Sequence, residues 1–461
     1  MSSSIRNLKK SGTAVVVSSI FLMIGSPSSN FGCSPVQENN SIAPTDILSS
    51  EMMQKDFEYV VNKLKNVHPA TVEGFTETQK KIISDILKKI QRPLTKEKFF
   101  FTVNELFHSF HDAHTTQWLS FSQGIDLPLV WLQDGLYIAK NTDILRQGDW
   151  IQTIGGQQVP QLRDKLNQIL WTENDHLVRL EGPWMLSARP YLEHLGLIEN
   201  DGVAVTFQRA GKNHTIRIPI IRLQRPQNED LPFFQYAIDQ DHDLAVLTLN
   251  SCQYHSEYRK KLQQFFNEIH THKIKNIVLD LRRNSGGDSR VIDKFLPYLN
   301  VDRIKTYGSR VRYSQEAREK TRVFKVGLET FPRAERRNEK INQENLLFSG
   351  RLFVLTSPKT FSSGNMFAAT IQDNRIGTIV GEPTGNKPSC YGHPLPFQMP
   401  RTAISFKISH KQFFRPDSTR DLEDAVYPDV EVYRKIDDII HHRDAQMENI
   451  LKMIDFYSGK D

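Results

Sequence analysis

Between about Thr45 and Phe110, apolar residues recur every three or four positions, and lysine and glutamate occupy the positions between them. This spacing is typical of amphipathic helices, which bury one apolar stripe against a neighbouring element. The segment TKEKFFFTVNELFHSF, late in this region, starts with a threonine that can cap a helix. The pattern predicts a helical N-terminal domain over residues 45–120.

After residue 120 the helical spacing gives way to short and alternating apolar runs. A Gly-Asp turn precedes a predicted strand at residues 150–154, followed by a Gly-Gly turn and a helix from about Pro160. This order resembles the centre of a PDZ domain, where a strand and a helix flank a groove for an extended peptide. The sequence therefore predicts a PDZ-like α+β region with a helical linker over residues 125–222. An unrelated α+β segment is the alternative.

From about Asp230 onward, predicted strands and helices alternate. DLAVLTLNSC and KNIVLDL read as buried strands, EYRKKLQQFFNEIHTHKI reads as an amphipathic helix, and GRLFVLTSPKTFSSGNMFAATIQDN repeats the strand–turn–helix order. Such alternation implies a βαβ-type core in which the turns after the strands gather at one edge of a sheet. The prediction is an α/β domain over residues 230–461.

Composition excludes some functions. Hydrophobic residues make up 38% and charged residues 24% of the 461-residue chain, as in ordinary soluble domains. The net charge is +6, but the first 33 residues supply half of it through Arg6, Lys9 and Lys10 and contain no acidic residue. Because no dense basic patch interleaved with aromatic residues remains, no nucleic-acid partner is expected.

Residues 1–33 have the order of an export signal: a basic start, an apolar stretch of about a dozen residues and then small residues. The apolar stretch is shorter than the roughly 20 residues that span a bilayer. Cys33 follows it, where a bacterial lipoprotein would be lipidated, although NFGC matches that pattern poorly. We expect an extracytoplasmic protein that touches a membrane only through this signal or a lipid anchor. Because the three cysteines lack zinc-site spacing, no metal is expected.

Two strand-to-helix turns carry the candidate chemistry. The first is DLRRNSGG, ending in Gly286 and Gly287, whose backbone N–H groups could bind the oxyanion of a tetrahedral intermediate. No Gly-Lys-Ser/Thr follows, so a phosphate loop is a poor match. The second turn contains Ser362 and Ser363 beside the start of a helix, where developing negative charge is stabilised. A helix-capping role is the alternative for these serines.

Together, IVLDLRRNSGG and LFVLTSPKTFSSGNMFAATIQDN…IGTIVGEPTGNK resemble the tail-specific, or C-terminal-processing, serine proteases. The resemblance covers about residues 240–430 and implies a crotonase-like ββα protease core that needs no cofactor. It places Ser362 on the nucleophile, and it places the oxyanion hole on the backbone N–H of Ser363 with one from Gly286 or Gly287.

The same resemblance favours Lys387 as the general base and leaves His114 as a competing candidate. Lys387 lies at the family's lysine position, and a lysine can accept a proton only if burial and nearby positive charge lower its pKa toward neutrality. His114, in Asp-Ala-His-Thr, matches a histidine that serves as the base in the tricorn-like branch. There a late acidic residue orients related groups, for which Glu423 is the candidate, with Asp421 and Asp424 as alternatives.

The sequence therefore predicts an exported serine endopeptidase that hydrolyses peptide bonds of extended or unfolded polypeptides. Asn365 stands where the family has glutamate, and Pro388 stands where it usually has glycine. These departures motivate an alternative, a catalytically inactive peptide-binding protein of the same fold. A third hypothesis, an acyl-thioester enzyme of the crotonase type, is disfavoured by the export signal and by the serine–lysine spacing.

Overall fold

The computed structural model describes residues 43, 45–223 and 231–459 of the 461-residue chain. The predicted export signal over residues 1–33 lies outside the described residues. Among the helices of the described part, none has both the length and the apolar character needed to cross a membrane.

Three helices and a short two-stranded ribbon form the first part of the fold. Ser49, Thr76 and Thr95 cap the helices, because each side chain accepts a backbone N–H that the helix start leaves without an internal partner. The elements are β1 (Ile47–Leu48), α1 (Ser50–Val67), α2 (Glu77–Lys89), β2 (Leu94–Thr95) and α3 (Lys96–His108).

The second part is an antiparallel sheet with helices packed against it. Its strand order is β10-β9-β7-β6-β5, and β8 pairs with β7 across a turn formed by Gly155 and Gly156, both at positive φ. The elements are β3 (Thr116–Trp118), β4 (Gln123–Gly124), β5 (Leu129–Leu132), β6 (Gly135–Ile138), β7 (Trp150–Ile154), β8 (Gln157–Gln158), α4 (Val159–Ile169), α5 (Asp175–Met185), α6 (Arg189–His194), β9 (Gly202–Arg209), β10 (Lys212–Pro219) and β11 (Ile221–Arg222).

A six-stranded, mostly parallel sheet forms the centre of the third part. Its order is β12-β13-β14-β19-β20-β23, and only β12 runs antiparallel to its neighbour. Because parallel strands end at one edge, the turns after β14 and β19 lie side by side. The elements are β12 (Phe234–Asp239), β13 (Leu244–Leu249), α7 (Ser256–His272), β14 (Asn276–Asp280), α8 (Arg290–Phe295), β19 (Arg351–Thr356), α10 (Ser363–Asp373), β20 (Thr378–Gly381) and β23 (Val430–Glu431).

A second sheet of the third part has the order β17-β16-β22-β21. Strand β3, directly after the N-terminal helices, pairs with β22 and so joins this sheet. The remaining elements are β15 (Arg303–Thr306), β16 (Gly308–Tyr313), α9 (Gln315–Thr321), β17 (Gly327–Phe331), β18 (Ala334–Arg337), β21 (Tyr391–Gln398), β22 (Ser405–Phe414), α11 (Ile436–Ile440) and α12 (Ala445–Ser458).

One hydrophobic core joins the N-terminal helices to the third part. Phe57 of α1 and Phe107 of α3 belong to the same buried cluster as Phe406 and Ile408 of β22. Burial of such aromatic and aliphatic side chains is the main favourable contribution to folding. The strands and helices confirm the predicted α/β fold class, and the shared core packs the first and third parts directly against each other.

Candidate active site

Ser362 occupies the turn between strand β19 and helix α10. Its backbone has φ 52° and ψ −122°, a positive-φ conformation that a non-glycine residue rarely adopts. The residue stands at the N-cap position, yet its side chain makes no capping hydrogen bond. Strained strand-to-helix turns also present the nucleophilic serine in α/β-hydrolases. Helix capping therefore does not account for Ser362.

The two adjacent serines have different environments. The Ser362 N–H donates to Asn386 Oδ1 at 2.8 Å, which holds the backbone of the turn, and its side chain is half-buried. The Ser363 hydroxyl is buried and donates to the backbone carbonyl of Gly287 at 2.8 Å. Ser362 is therefore the serine with an uncommitted hydroxyl.

The glycine turn after β14 lies against Ser362. A Cβ at Gly286 would stand 2.6 Å from Ser362 Cβ and 3.1 Å from the Ser363 nitrogen. Both Gly286 and Gly287 have positive φ, at 107° and 129°. Only glycine combines this conformation with so close an approach. The structure thus brings together the two turns that the sequence singled out.

Asn284 fixes the geometry of this turn. Its side-chain Nδ2 donates to the Leu249 carbonyl at 2.8 Å, and its Oδ1 accepts the Gly286 N–H at 2.9 Å. Among the described residues, the N–H groups of Gly287 and Ser363 donate to no backbone or side-chain acceptor. Of the three predicted oxyanion donors, Gly287 and Ser363 are therefore available, whereas the Gly286 N–H is already engaged.

His114 lies between α3 and β3, with its ring packed against the residue before Ser362. The ring centroids of His114 and Phe361 are 4.8 Å apart, and the His114 side chain is almost fully buried. Neither ring nitrogen has a hydrogen-bond partner among the described residues. Burial lowers the pKa of His114, and the negative charge of Asp112 raises it. Because burial is the larger effect, the imidazole is neutral at neutral pH.

Asp112 is the carboxylate nearest to His114. Its Oδ1 accepts the His114 backbone N–H at 2.9 Å and lies 3.8 Å from His114 Nδ1. Complete burial by itself would raise the pKa of Asp112, but the hydrogen bond from His68 and the electrostatic interactions with the His68 and His114 rings lower it to about 2. Asp112 therefore carries a negative charge over the whole physiological pH range.

Glu173 is a buried residue that the sequence reasoning missed. Its Oε1 accepts the Ala113 N–H at 3.1 Å, and its Oε2 accepts the Lys387 N–H at 2.7 Å. Burial and the charge of Asp112 raise the pKa of Glu173 to about 8. It joins segments that are 60 and 214 residues away in the chain, and no local motif marks it.

Residues 243–432 match the model of peptidase family S41. This stretch contains Ser362, both glycines and Lys387. It is an S41 peptidase domain. No curated protein sequence matches the chain significantly.

Among solved structures, mature CPAF shows the same fold over most of the chain. Mature CPAF in complex with lactacystin has a TM-score of 0.64 and 12% identity, covering 89% of this chain and 98% of its own. A putative peptidase from Parabacteroides merdae has a TM-score of 0.48 and 13% identity, covering 90% and 97%. The photosystem II D1 C-terminal processing protease has a TM-score of 0.42 and 15% identity, covering 83% and 92%. The match of residues 243–432 to the S41 model confirms the predicted recognition of this protease family, and the domain has an α/β core.

Lys387, the first candidate for the base, lies in the loop of the S41 domain that follows β20. Its backbone N–H is bonded to Glu173, and the residue is half-buried. Asn365 holds this loop: its Nδ2 donates to the Asn386 carbonyl at 2.9 Å, and its Oδ1 accepts the Thr384 hydroxyl at 2.8 Å. The family's glutamate position thus carries an asparagine that ties α10 to the Lys387 loop.

Glu423, the predicted orienting acid, takes part in a different network of the S41 domain. Its carboxylate accepts hydrogen bonds from Arg415 at 2.7 Å and Arg420 at 2.8 Å. The two alternatives are also engaged, Asp421 by Arg333 and Asp424 by Tyr427. The carboxylates that the structure brings to His114 are instead Asp112 and Glu173.

Asp112, His114 and Glu173 also form the group whose potential ligand atoms all lie within 4.8 Å of one another, in the part of the chain that the structure describes. This is the spacing at which side chains could approach one metal ion. The hydrogen bonds that both carboxylates already accept satisfy them without an ion. The arrangement of a neutral imidazole beside an ionised carboxylate suits proton transfer next to a nucleophile.

Proposed function

We propose that this serine peptidase is an exported endopeptidase that cleaves extended or unfolded polypeptides, with Ser362 as its nucleophile and His114 as its general base. The observation that carries the proposal is the strained Ser362 turn, which contacts the glycine turn and whose Phe361 packs against the His114 ring, a ring without hydrogen-bond partners among the described residues. Export is proposed from the basic and apolar start of the chain.

The environment of His114 supports its choice over Lys387. A general base must be unprotonated before the reaction, and burial keeps the His114 imidazole neutral. The Asp112 charge, 3.8 Å from Nδ1, can stabilise the imidazolium that forms after proton transfer. This separation exceeds a hydrogen bond, and such contacts often tighten only when substrate binds.

The proposed reaction follows acyl transfer. Ser362 Oγ attacks the scissile carbonyl carbon while its proton passes to His114. The Gly287 and Ser363 N–H groups stabilise the oxyanion. His114 then protonates the leaving amine, and water hydrolyses the acyl-enzyme through the same base.

Extended substrates are proposed from strand β21. It is the last strand of its sheet, so its outer edge can pair with an extended peptide, as in β-augmentation. Gly392 of this strand lies beside the base, since a Cβ there would be 3.9 Å from His114 Cε1. The resemblance of residues 125–222 to a PDZ domain points to the same substrate class.

A peptidase assay on a mixture of unstructured peptides tests this assignment. We expect Ser362→Ala and His114→Ala each to lower kcat/KM by about 10³-fold or more, because both act in one proton-transfer unit. Lys387→Ala should cost less than about tenfold, since only its backbone N–H contacts Glu173. His111→Asn, a nearby change that tolerates the positive φ at this position, serves as the control.

Two results would overturn parts of the proposal. Full activity in His114→Ala with an inactive Lys387→Ala would assign the base to Lys387. Wild-type protein that binds peptides without hydrolysing them, with unchanged affinity in Ser362→Ala, would support the inactive peptide-binding alternative.

A further inference from the structure

His68, at the end of helix α1, lies in the interior beside the candidate base. Its side chain is completely buried, and its ring lies between the rings of Phe110 and Tyr391, with centroids 4.6 and 4.5 Å away. Its carbonyl accepts a hydrogen bond from Arg312 at 2.6 Å. The position of the imidazole is therefore fixed from several sides.

The hydrogen bonds of the His68 ring define its tautomer. Nδ1 accepts the backbone N–H of Ala70 at 3.1 Å, so the ring hydrogen must be on Nε2. Nε2 lies 3.2 Å from Asp112 Oδ2 and therefore donates to it. The ring delivers one N–H to the carboxylate that faces His114.

Asp112 connects this donor to the base. Oδ2 accepts the hydrogen bond from the His68 ring. Oδ1 accepts the backbone N–H of His114 and lies 3.8 Å from His114 Nδ1. Without His68, Oδ2 would lose this side-chain donor in a completely buried position. A buried carboxylate that loses a donor becomes more basic and less restrained.

We infer that His68 is a positioning residue of the peptidase, which sets the orientation and charge of Asp112 and through it the basicity of His114. The effect on catalysis rests on the function proposed above, whereas the effect on His114 does not. His68 itself reaches neither Ser362 nor the reacting atoms in this scheme. Its contribution is one charge-assisted hydrogen bond, and such bonds are stronger than neutral ones.

The charged groups around His114 determine the direction of the expected change. Asp112 raises the pKa of His114 and Lys407 lowers it, and Glu173 adjoins both Asp112 and His114. Removing the His68 donor leaves more of the Asp112 charge to act on His114. The proton affinity of His114 should therefore increase.

Three variants separate positioning from packing. His68→Phe keeps a ring but removes the donor. His68→Gln restores an N–H at a similar distance from the backbone. Thr71→Val is the matched control. The Thr71 hydroxyl lies within hydrogen-bond distance of the carbonyls of Leu64, Lys65 and His68, accepts from Arg312 at 2.9 Å, and forms no hydrogen bond with Asp112.

We expect His68→Phe to lower kcat by about 10- to 100-fold with little change in KM, which corresponds to losing one hydrogen bond to a charged group. The acid limb of the kcat/KM profile should move to higher pH. His68→Gln should recover most of both effects, and Thr71→Val should lower the melting temperature without moving the profile.

A second readout needs no peptidase activity. NMR titration of ring-labelled histidine in the full-length Ser362→Ala protein should show a higher His114 pKa in His68→Phe and a return toward the parent value in His68→Gln. Failure of wild type to hydrolyse peptides would remove the proposed function while this titration still decides the inference. An unchanged His114 titration in His68→Phe would overturn it.

Discussion

At the scale of single residues, two buried carboxyl groups near His114 hold opposite protonation states at neutral pH. The pKa of Asp112 is about 2 and that of Glu173 is about 8, because the negative charge of Asp112 adds to the burial of Glu173. At neutral pH the folded protein therefore keeps a proton on Glu173, whereas the unfolded chain has released it above the ordinary pKa of 4.5. Its protonation state is linked to folding.

The sign of this linkage follows from the raised pKa. Glu173 has an ordinary pKa of 4.5, so between about pH 4.5 and 8 the folded protein binds a proton that the unfolded chain has released. Its contribution to stability is complete below pH 4.5 and is lost as pH rises through 8. We expect the urea-unfolding free energy of wild type to fall across this interval.

Glu173→Gln should flatten that dependence. The variant cannot ionise, so its unfolding free energy should change less than that of wild type between pH 5 and 8. At pH 5 it should be less stable by about 1–3 kcal/mol, because the glutamine N–H₂ group faces a backbone N–H donor. Glu105→Gln, which removes only the carboxylate paired with Lys89 at the surface, is the control. A parallel slope in wild type and Glu173→Gln would contradict the assignment.

Some residues of the candidate site could be predicted from local sequence, and others could not. The Ser362 turn and the glycine turn could be predicted, because close approach and backbone N–H donors require small residues at fixed spacing. Glu173 could not, because its role depends on the Ala113 and Lys387 backbones, which only the folded chain brings to it. Glu423 was chosen from a resemblance, while the structure places it with Arg415 and Arg420.

At the scale of elements, the turn after β14 and the turn before α10 behave as one unit. The Asn284 carbonyl accepts the Phe361 N–H at 2.9 Å, and the Asn284 side chain holds the Gly286 N–H. The order of strands and helices could be predicted because apolar periodicity is local. The contact between the two turns follows from the parallel pairing of β14 with β19, which periodicity does not encode.

Gly286→Ala should damage both stability and activity. The new Cβ would meet Ser362 Cβ at 2.6 Å, so either turn must move, and we expect destabilisation of about 1–3 kcal/mol from overpacking. Displacing Ser362 should lower kcat/KM by at least about 100-fold, because small misplacements of a nucleophile are costly. Thermal unfolding and the peptide assay measure the two effects.

Gly156→Ala separates backbone strain from steric clash. Gly156 also has positive φ, at 75°, but a Cβ there would have no atom within 4 Å. It should cost about 1–2 kcal/mol from strain alone and leave kcat/KM unchanged. Equal losses of activity in the two variants would show that the approach of Gly286 to Ser362 is unimportant.

At the scale of the whole molecule, the candidate site is divided between parts that the sequence predicted as separate domains. Ser362 and Lys387 come from the S41 domain, whereas His68, Asp112 and His114 come from the N-terminal part, and Glu173 precedes α5. The pairing of β3 with β22 and the shared core around Phe406 hold these parts together. Local patterns predicted the content of each part but not this sharing of a sheet and a core.

Asp56 of helix α1 provides a test of this division. It is completely buried, and its carboxylate accepts the N–H of Arg401, at 2.9 Å, and the N–H and hydroxyl of Thr402, at 2.8 and 2.7 Å, beside the turn between β21 and β22. Asp56→Ala removes all three bonds and leaves the two Thr402 donors buried. We expect a loss of about 3 kcal/mol or more of unfolding free energy.

The position of Asp56 predicts how the loss of unfolding free energy affects activity. Since the His114 ring packs against Phe361, the residue before Ser362, only when the N-terminal part is docked, protein carrying Asp56→Ala should lose activity at the same urea concentration at which its tryptophan fluorescence changes. Asp85→Ala on α2, which removes only an exposed pair with Lys88, should leave both transitions at their wild-type positions. If activity in Asp56→Ala survived after the helices of the N-terminal part had unfolded, the S41 domain would carry its own base, and Lys387 would replace His114.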